Sequence, residues 1–574
     1  MSDSQFDDLR EALSHFGKND LFYCSDHIRK SFSKGYEEKV AASVECKNLK
    51  NGGCIASIKK AIVFISSVLE VNIFEHNSST WKLMIDGRPK GKQKFEVAIG
   101  ITPLFSGLNI QSSNLVFPVG IYEGGETIED MRKNLKSIIE ELNSTTVQNT
   151  EDESKEHKLN FILVADLKSA WSLFNLERGE CMFCNCSSVG DRTEYKKHYK
   201  TYSRKFKKEE LVFPELGILV FCFCTIHMRM RLVDQYLFIL AGAVKGTLYQ
   251  EKLEKTMDQI GIKFDYIPLR NKKGETTKGW KLPGYSAQQC KTIIDNLDKL
   301  NDCFPRFKTI FHKGTIPELK KRIRNTIPSI RIRSNVSSSE LQKILFNHEE
   351  TCKLDSKLDF REKFKNLWTT TFKMYNIISD GYSDEDTEAK DIYNKWDEKA
   401  KEVLKLFLEV HDAHRCRIYM HLLLCHGRDL FDIYGPLRWL SNQGCESANG
   451  RDTKTYFSFT SKGGGKLQDN NLSFAEKRDV RKSMSSKKVL IRPYTKLDKL
   501  SNIQTQKKNS KIKFYNGNCI NFDNCGEKRQ KLYEQTLEYL RNNEEGESVH
   551  EQLKDNTNYE DDPEDEYEEE YHQY

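Results

Sequence analysis

Side chains able to do chemistry gather in the stretch HLLLCHGRDLFDIYGPLRWLSNQGCESANG, residues 421–450, where His421 and His426 stand five apart and Glu446 follows twenty residues after His426. Far upstream, Asp86 and Asp166 each close an apolar run, and Cys181 and Cys184 form a Cys-x-x-Cys pair. Three carboxylates can hold two metal ions about 4 Å apart, which stabilises charge on the attacking and leaving oxygens when a phosphodiester is cut or transferred. Oxygen ligands of this kind suit Mg2+ or Mn2+. The plainer reading puts the aspartates in turns and Glu446 on the surface. The thiol pair is half of a tetrahedral zinc site. Its other half is either local, His198 with Cys222, Cys224 or His227, or distant, His421 with His426, and Cys186 and Cys425 are substitutes. The plainer reading here is buried thiols and helix-face histidines.

The elements around the aspartates follow a definite order. Trp81, Leu83 and Ile85 alternate with polar-side positions and lead into Asp86-Gly87, a strand ending in a carboxylate. Phe95 to Ile101 and Leu115 to Ile121 read as two more strands, and Pro118 argues that the latter lies on a sheet edge. Thr127, with Asp130 three residues later, caps a helix whose apolar face carries Ile128, Met131, Leu135, Ile138, Ile139 and Leu142. The continuous run Phe161 to Ala165 suits a buried parallel strand, and it ends in Asp166. Three strands, a crossover helix and a parallel strand open a ribonuclease H-like fold. A right-handed crossover places the fourth strand beside the first and brings Asp86 next to Asp166.

The rest of the chain is mostly helical in pattern. Ile58 to Leu69 has a clear apolar face, and residues 1–70 read as helices, either a DNA-binding or dimerising unit or a cap on the next domain. Residues 187–420 show amphipathic stretches around Met230 to Val244, Ala287 to Leu300 and Ala400 to Val410, and a basic, Pro-interrupted stretch at 317–333. Trp368 has two readings, a core residue or a platform for a displaced base. From Glu476 to Lys513 there are 13 Lys or Arg against three acids, which reads as a DNA-gripping arm or a solvated linker.

The net charge of +6 hides a partition: residues 544–570 hold 14 acids and one Lys, a local −13, so the remainder carries +19. That excess suits a phosphate-binding body, and the acidic tail reads as disordered. Sixteen cysteines in 574 residues do not make a secreted disulfide scaffold. The start MSDSQFDDLREAL lacks a signal-peptide pattern, and the longest apolar run, Leu216 to Ile226, is too short to span a bilayer. These features lead us to expect a soluble intracellular protein in reducing surroundings.

Order and spacing together resemble the Transib transposase and V(D)J recombinase catalytic-subunit superfamily. MIDG at 84–87 resembles its first-Asp strand. CMFC at 181–184 resembles its Cys-x-x-Cys, YMHLLLCHG its His-x-x-x-x-His segment, and GCESAN the segment around its catalytic Glu. ADLKSAW around Asp166, CTIHMRMRLVD (224–234) and the Gly279 to Tyr285 stretch resemble segments of related transposon-derived proteins. The resemblance spans residues 80–465 in layout and rests on short motifs. It implies an α/β fold with a ribonuclease H-like core interrupted by a large, mainly helical, zinc-containing insertion. It implies catalytic Asp86, Asp166 and Glu446 with Mg2+ or Mn2+, and structural Zn2+ on Cys181, Cys184, His421 and His426. It further implies a DNA transposase or endonuclease acting on double-stranded DNA at transposon ends, as a homodimer, in the nucleus, with no membrane association.

The expected organisation is an N-terminal helical region (1–79), the first part of the core (80–180), the helical insertion (181–420) and the second part of the core with Glu446 (421–465). A basic C-terminal region (466–543) and the acidic tail (544–574) follow. Lys477, Arg478, Arg481, Lys482, Lys487 and Lys488 are the expected phosphate contacts. A domesticated DNA- or chromatin-binding protein without catalysis is one alternative. A ribonuclease H-like exonuclease is another, disfavoured because Arg88 stands where Asp-x-Glu enzymes carry a second acid.

Overall fold

The computed structural model describes residues 35–445, with breaks at 51–52, 70–72, 76–77, 90–94, 105–114, 150–154, 196–200, 217–220, 272–274, 308–313, 353–358, 384, 412–414 and 443, and then residues 486, 487 and 489–494. Glu446 and, from the basic segment, Lys477, Arg478, Arg481, Lys482 and Lys488 lie outside the described residues, as do His198, residues 1–34 and the acidic tail.

A mixed eight-stranded sheet organises the first part of the chain. Its strands are β1 (Lys47–Asn48), β2 (Cys54–Ile55), β3 (Ser78–Pro89), β4 (Phe95–Pro103), β5 (Phe117–Glu123), β6 (Thr146–Gln148), β7 (Glu156–Ala165) and β8 (Phe221–Phe223). The spatial order is β1-β2-β5-β4-β3-β7-β6, and β8 pairs with β7. β3, β4 and β5 form an antiparallel meander. Between β5 and β7 the chain forms α1 (Ile128–Asn134) and α2 (Lys136–Leu142), and β7 returns parallel to β3. The placement of the fourth long strand beside the first therefore holds. β6 and β8 share one side of β7, β6 antiparallel at its start and β8 parallel at its end.

Local chemistry explains several boundaries. Thr127 Oγ1 accepts the Asp130 N–H at 3.2 Å and starts α1 as its sequence pattern requires. The apolar face expected to form one helix is broken at Leu135, which ends α1 and precedes α2, yet Met131, Leu135, Ile138 and Leu142 are all buried. β7 is buried from Phe161 to Ala165, as a strand covered on both faces must be.

Four expectations need correction. Asp86 does not end its strand, since β3 continues to Pro89. Pro118 does not mark an edge strand: β2 pairs with β5 at Gly120 and Ile121, and the register with β4 slips by one residue at Val119 of β5, between the pairs Ile99–Gly120 and Gly100–Pro118. The N-terminal region contributes β1 and β2 to the sheet as well as a helix, Ile58–Val68, whose Ile58, Ala61, Ile62 and Ile65 are buried in the common core. The basic segment is not wholly an arm or linker, because Val489, Leu490, Ile491 and Tyr494 are buried, the Tyr494 hydroxyl donates to Pro118 O at 3.0 Å, and Lys487 is half-buried.

After β8 the chain is helical, as expected, but it also forms a two-stranded arm. α3 (Thr225–Val244) leads into a helix over Leu248–Gln259 and then the antiparallel pair β9 (Ile267–Arg270) and β10 (Thr276–Lys281). Its longest helix, α4 (Phe360–Asp380), carries Trp368, fully buried against Tyr236, Phe364 and Phe372. Trp368 is a core residue and no base platform. α5 (Trp396–Val410) follows, and then a helical segment from Ile418 to Tyr434 returns the chain to the sheet.

Candidate functional site

The two ends of the insertion meet at Cys181, Cys184, His421 and His426. All four are fully buried, and one donor atom from each lies within 4.8 Å of the others. Cys181 Sγ is 3.4 Å from His426 Nε2, and Cys184 Sγ is 3.3 Å from His421 Nε2. With Zn–S near 2.3 Å and Zn–N near 2.1 Å, a tetrahedral ion sets sulfur–nitrogen edges of about 3.6 Å. The donor set therefore fits zinc, and four such ligands would fill a tetrahedral shell.

A helical irregularity makes this possible. In an α-helix, residues five apart are separated by about 140° around the axis beyond a full turn. Leu422–His426 forms a π-helical segment between Ile418–His421 and Gly427–Tyr434. A π turn closes i to i+5, so it brings His421 and His426 onto one face. Thr201 Oγ1 lies 2.9 Å from His426 Nδ1. In the tautomer that keeps the Nε2 lone pair for a metal, Nδ1–H donates to this hydroxyl and fixes the ring. On the opposite side the thiol loop is pinned: Phe183 N–H donates to Cys181 Sγ at 3.4 Å, Cys181 N–H to Cys186 O at 2.9 Å, and Arg204 to Cys181 O at 3.0 Å.

Burial alone would push the Cys181 thiol up. The hydrogen bond from Cys184 and the adjacent His426 and His421 outweigh it and hold Cys181 well below its ordinary value. Burial pushes His421 down, towards the neutral imidazole. Thiolate and neutral imidazole are the ligating forms. Among the described residues, which do not include His198, the local alternative does not form. Cys224 Sγ instead accepts the Asn442 N–H at 3.2 Å, and Cys222 and His227 are outside the group.

The carboxylate site is more open. The parallel register runs from Ser78 opposite Lys158 to Met84 opposite Val164, so Asp86, still within β3, and Asp166, one residue past the end of β7, each stand two residues beyond the last pair. Asp166 Oδ1 caps the helix Leu167–Leu173 by accepting the Ser169 N–H at 2.8 Å. Both aspartates are half-buried.

A third acid, Glu126, joins them. Its carboxylate accepts the Ser169 hydroxyl and lies 3.3 Å from Lys168 Nζ. It sits so close to Gly87 that a Cβ there would fall 2.5 Å from Glu126 Oε1. Burial, and then the charge of Asp166, push the Glu126 carboxyl above its ordinary value. The three acids do not reach the 4.8 Å closeness of the thiol–imidazole group. The signal for Glu126 was present as Gly124-Gly125-Glu126, a small-residue step placing an acid one residue before the Thr127 cap.

Lys82 was also missed. It shares a sheet face with Asp86, four residues on, and is fully buried. Its ammonium donates to Ser441 O at 3.0 Å and Trp439 O at 3.4 Å. Burial pushes it down to about 8, against the nearby Cys224 and Cys445 thiols. Together with the Asn442–Cys224 bond, it fastens residues 439–442, which lead to buried Cys445, across β3.

Comparison of the chain with protein-family models and with curated proteins finds no match. Among the described residues no helix is long and apolar enough to cross a membrane.

Proposed function

We propose that this protein is a DDE-type DNA transposase, or a nuclease derived from one, with a ribonuclease H-like core. Asp86, Asp166 and Glu446 are its catalytic acids and hold Mg2+ or Mn2+. The observation that supports this reading is the parallel pairing of β3 with β7, which puts Asp86 of β3 and Asp166, just past the end of β7, at the same end of adjacent strands, with Glu126 close against Gly87 and within reach of the Asp166 charge. Half-exposed carboxylates gathered at neighbouring strands suit divalent-cation binding better than they suit fold stability, since like charges destabilise one another.

Bound there, the cations supply activation of water and stabilisation of charge on the phosphate oxygens. Asp166 keeps Oδ1 on a helix N-terminus, which fixes its rotamer and leaves Oδ2 as the ligand atom. Ser169 and Lys168 orient Glu126. The Cys2His2 group is structural in this reading, because four protein ligands leave no position for water. It ties the insertion's ends together, and Lys82 fastens the segment that precedes Glu446 in the chain. The charge of +19 outside the acidic tail suits double-stranded DNA. By resemblance, the 3′-hydroxyl freed by a first nick would then attack another phosphodiester, forming a new P–O bond as the 3′-oxygen of that phosphodiester leaves, and the enzyme would work as a homodimer in the nucleus.

The test is nicking of supercoiled plasmid by the full chain. Cleavage is expected with Mg2+ or Mn2+ and not without, and Asp86→Asn should lower it at least a thousandfold at unchanged circular dichroism. If wild-type protein retains DNA and zinc but never cuts with either cation, the catalytic reading gives way to a DNA-binding role.

A further inference from the structure

Two more thiols meet outside both sites. Cys46 stands one residue before β1, and Cys54 is the first residue of β2, its antiparallel partner. Their sulfurs lie 2.9 Å apart. A turn with Glu45 at φ 49°, closed by the Cys46 N–H donating to Ala41 O at 2.8 Å, aims the chain at this meeting. Cys54 is fully buried, whereas Cys46 is half-buried. One thiol is thus within reach of a small oxidant, and the other stands behind it.

The surroundings divide the roles. The hydrogen bond from Cys54 holds the Cys46 thiol below its ordinary value against burial, and the Lys487 charge adds to this. The same bond, and then burial, push the Cys54 thiol up. Thiolate character governs attack on an oxidant, so Cys46 is suited to react first and Cys54 to resolve. Lys487 belongs to the basic segment that docks on β5. There the Tyr494 hydroxyl donates to Pro118 O at 3.0 Å, and its ring packs on Phe117 and Phe64. β2 pairs with the same strand through Cys54 and Ile121. A thiol pair that only filled the core would need neither a half-exposed member nor a neighbouring ammonium. In reducing surroundings such a pair rests as thiols and links transiently.

We propose that Cys46 and Cys54 form a reversible disulfide, closed by hydrogen peroxide and reopened by thiols, with Cys46 as the attacking sulfur. The Cys46 thiolate attacks one peroxide oxygen and the O–O bond breaks. The hydroxide released takes up the proton that Cys46 gave up and becomes water. Cys54 then attacks the sulfur of the Cys46 sulfenic acid. The S–S bond forms, the S–O bond breaks, and the hydroxyl leaves as water with the Cys54 proton. Two thiols are oxidised and one peroxide is reduced to two waters. The sulfurs close by about 0.9 Å to reach the disulfide bond length of roughly 2.05 Å.

The experiment uses the full chain, reduced, freed of reductant and treated with hydrogen peroxide, then alkylated and digested with trypsin without reductant. Trypsin cuts after Lys39, Lys47, Lys50 and Lys59, so Cys46 and Cys54 fall on separate peptides, 40–47 and 51–59. Mass spectrometry should find the two joined, and dithiothreitol should part them. The joined peptide reads this pair alone, whatever becomes of Cys181 and Cys184. Cys54→Ser should leave Cys46 as a sulfenic acid that dimedone traps. Lys487→Ala should slow the joining roughly threefold and move its pH profile upward, because the thiolate loses a neighbouring positive charge. Peptides that stay separate while Cys46 is oxidised alone, or joins another thiol, overturn the proposal. Joining that appears only after unfolding in urea overturns it as well. So does a second zinc per chain that Cys46→Ser removes, since the pair would then be metal ligands. An unchanged rate and pH profile in Lys487→Ala overturns the part given to Lys487.

Discussion

The Cys2His2 group and the carboxylate end of β3 and β7 are both made from distant parts of the chain, yet they differ in kind. The first is fully buried, and one donor from each residue converges within 4.8 Å. The second is half-exposed, its acids stand further apart, and its expected third ligand is supplied by a later segment. Electrostatics accounts for the difference. A thiol, a thiolate and two imidazoles gather at most one negative charge, whereas three carboxylates repel one another until a cation joins them. A closed site holds a fold together. An open one keeps room for water and substrate.

The sharpest way to break this contrast is to empty the closed site. Purified protein should carry about one zinc per chain. Cys184→Ser or His421→Ala should abolish it and lower the melting temperature by more than about 10 °C, because structural zinc contributes its binding energy to folding. Protein that holds no zinc and melts as before would make the cluster a buried thiol–imidazole core and erase the distinction. The open site should respond oppositely. Asp86→Asn and Asp166→Asn should remove cleavage at least a thousandfold but cost little stability, since asparagine retains the Asp166 helix cap. Glu126→Gln should weaken stabilisation by Mg2+ or Mn2+. Burial beside Asp166 raises the Glu126 carboxyl, so the folded protein binds more protons just above the ordinary glutamate value. Without divalent cation, stability from this group falls as pH rises through that window. Added cation should cancel the fall.

What the sequence made legible follows from the range of the signals. β3, β7 and the capped helix after Thr127 were readable because alternation, a continuous apolar run and a Thr-x-x-Asp step are local. The thiol and histidine pairs were readable as types, but their pairing over about 240 residues came through resemblance. The π segment left no recognisable signal, because Leu422 to Cys425 would suit an α-helix equally. Lys82 was hidden for another reason. A lysine among strand residues reads as solvent-facing, and the carbonyls of Trp439 and Ser441 that satisfy it lie more than 350 residues away. Pro118 misled because a two-residue partner strand makes an interior strand look like an edge.

Lys82 links the two regions, and its effect should be intermediate. Its folded value near 8 lies below the ordinary lysine value, so the unfolded chain binds the extra proton between about pH 8 and 10.5. Stability from this group therefore rises as pH climbs through that window, by at most about 3 kcal/mol, and the cost is fully present below it. Lys82→Met should flatten this part of the stability curve measured by urea unfolding. It should also lower cleavage, because Trp439 O and Ser441 O lose their donor and the segment leading to Cys445 loosens. An unchanged pH profile would mean that Lys82 keeps its ordinary proton affinity, as a solvated lysine does, in the folded protein.

The smallest expected effect tests the crowding within the open site. Gly87→Ala adds one carbon that would meet Glu126 Oε1 at 2.5 Å and Cγ at 2.7 Å. Gly87 lies within a strand at ordinary backbone angles, as its absence from the positive-φ glycines shows, so the substitution acts through contact and not backbone strain. The Glu126 carboxylate must move, breaking its bonds to Ser169 or Lys168. Stability should fall by about 1 kcal/mol or less, while cleavage falls about tenfold. Glu126→Ala removes the obstacle, so the two substitutions together should cost less than the sum of their separate effects on cleavage. Strict additivity would show that Gly87 and Glu126 do not meet in the folded protein.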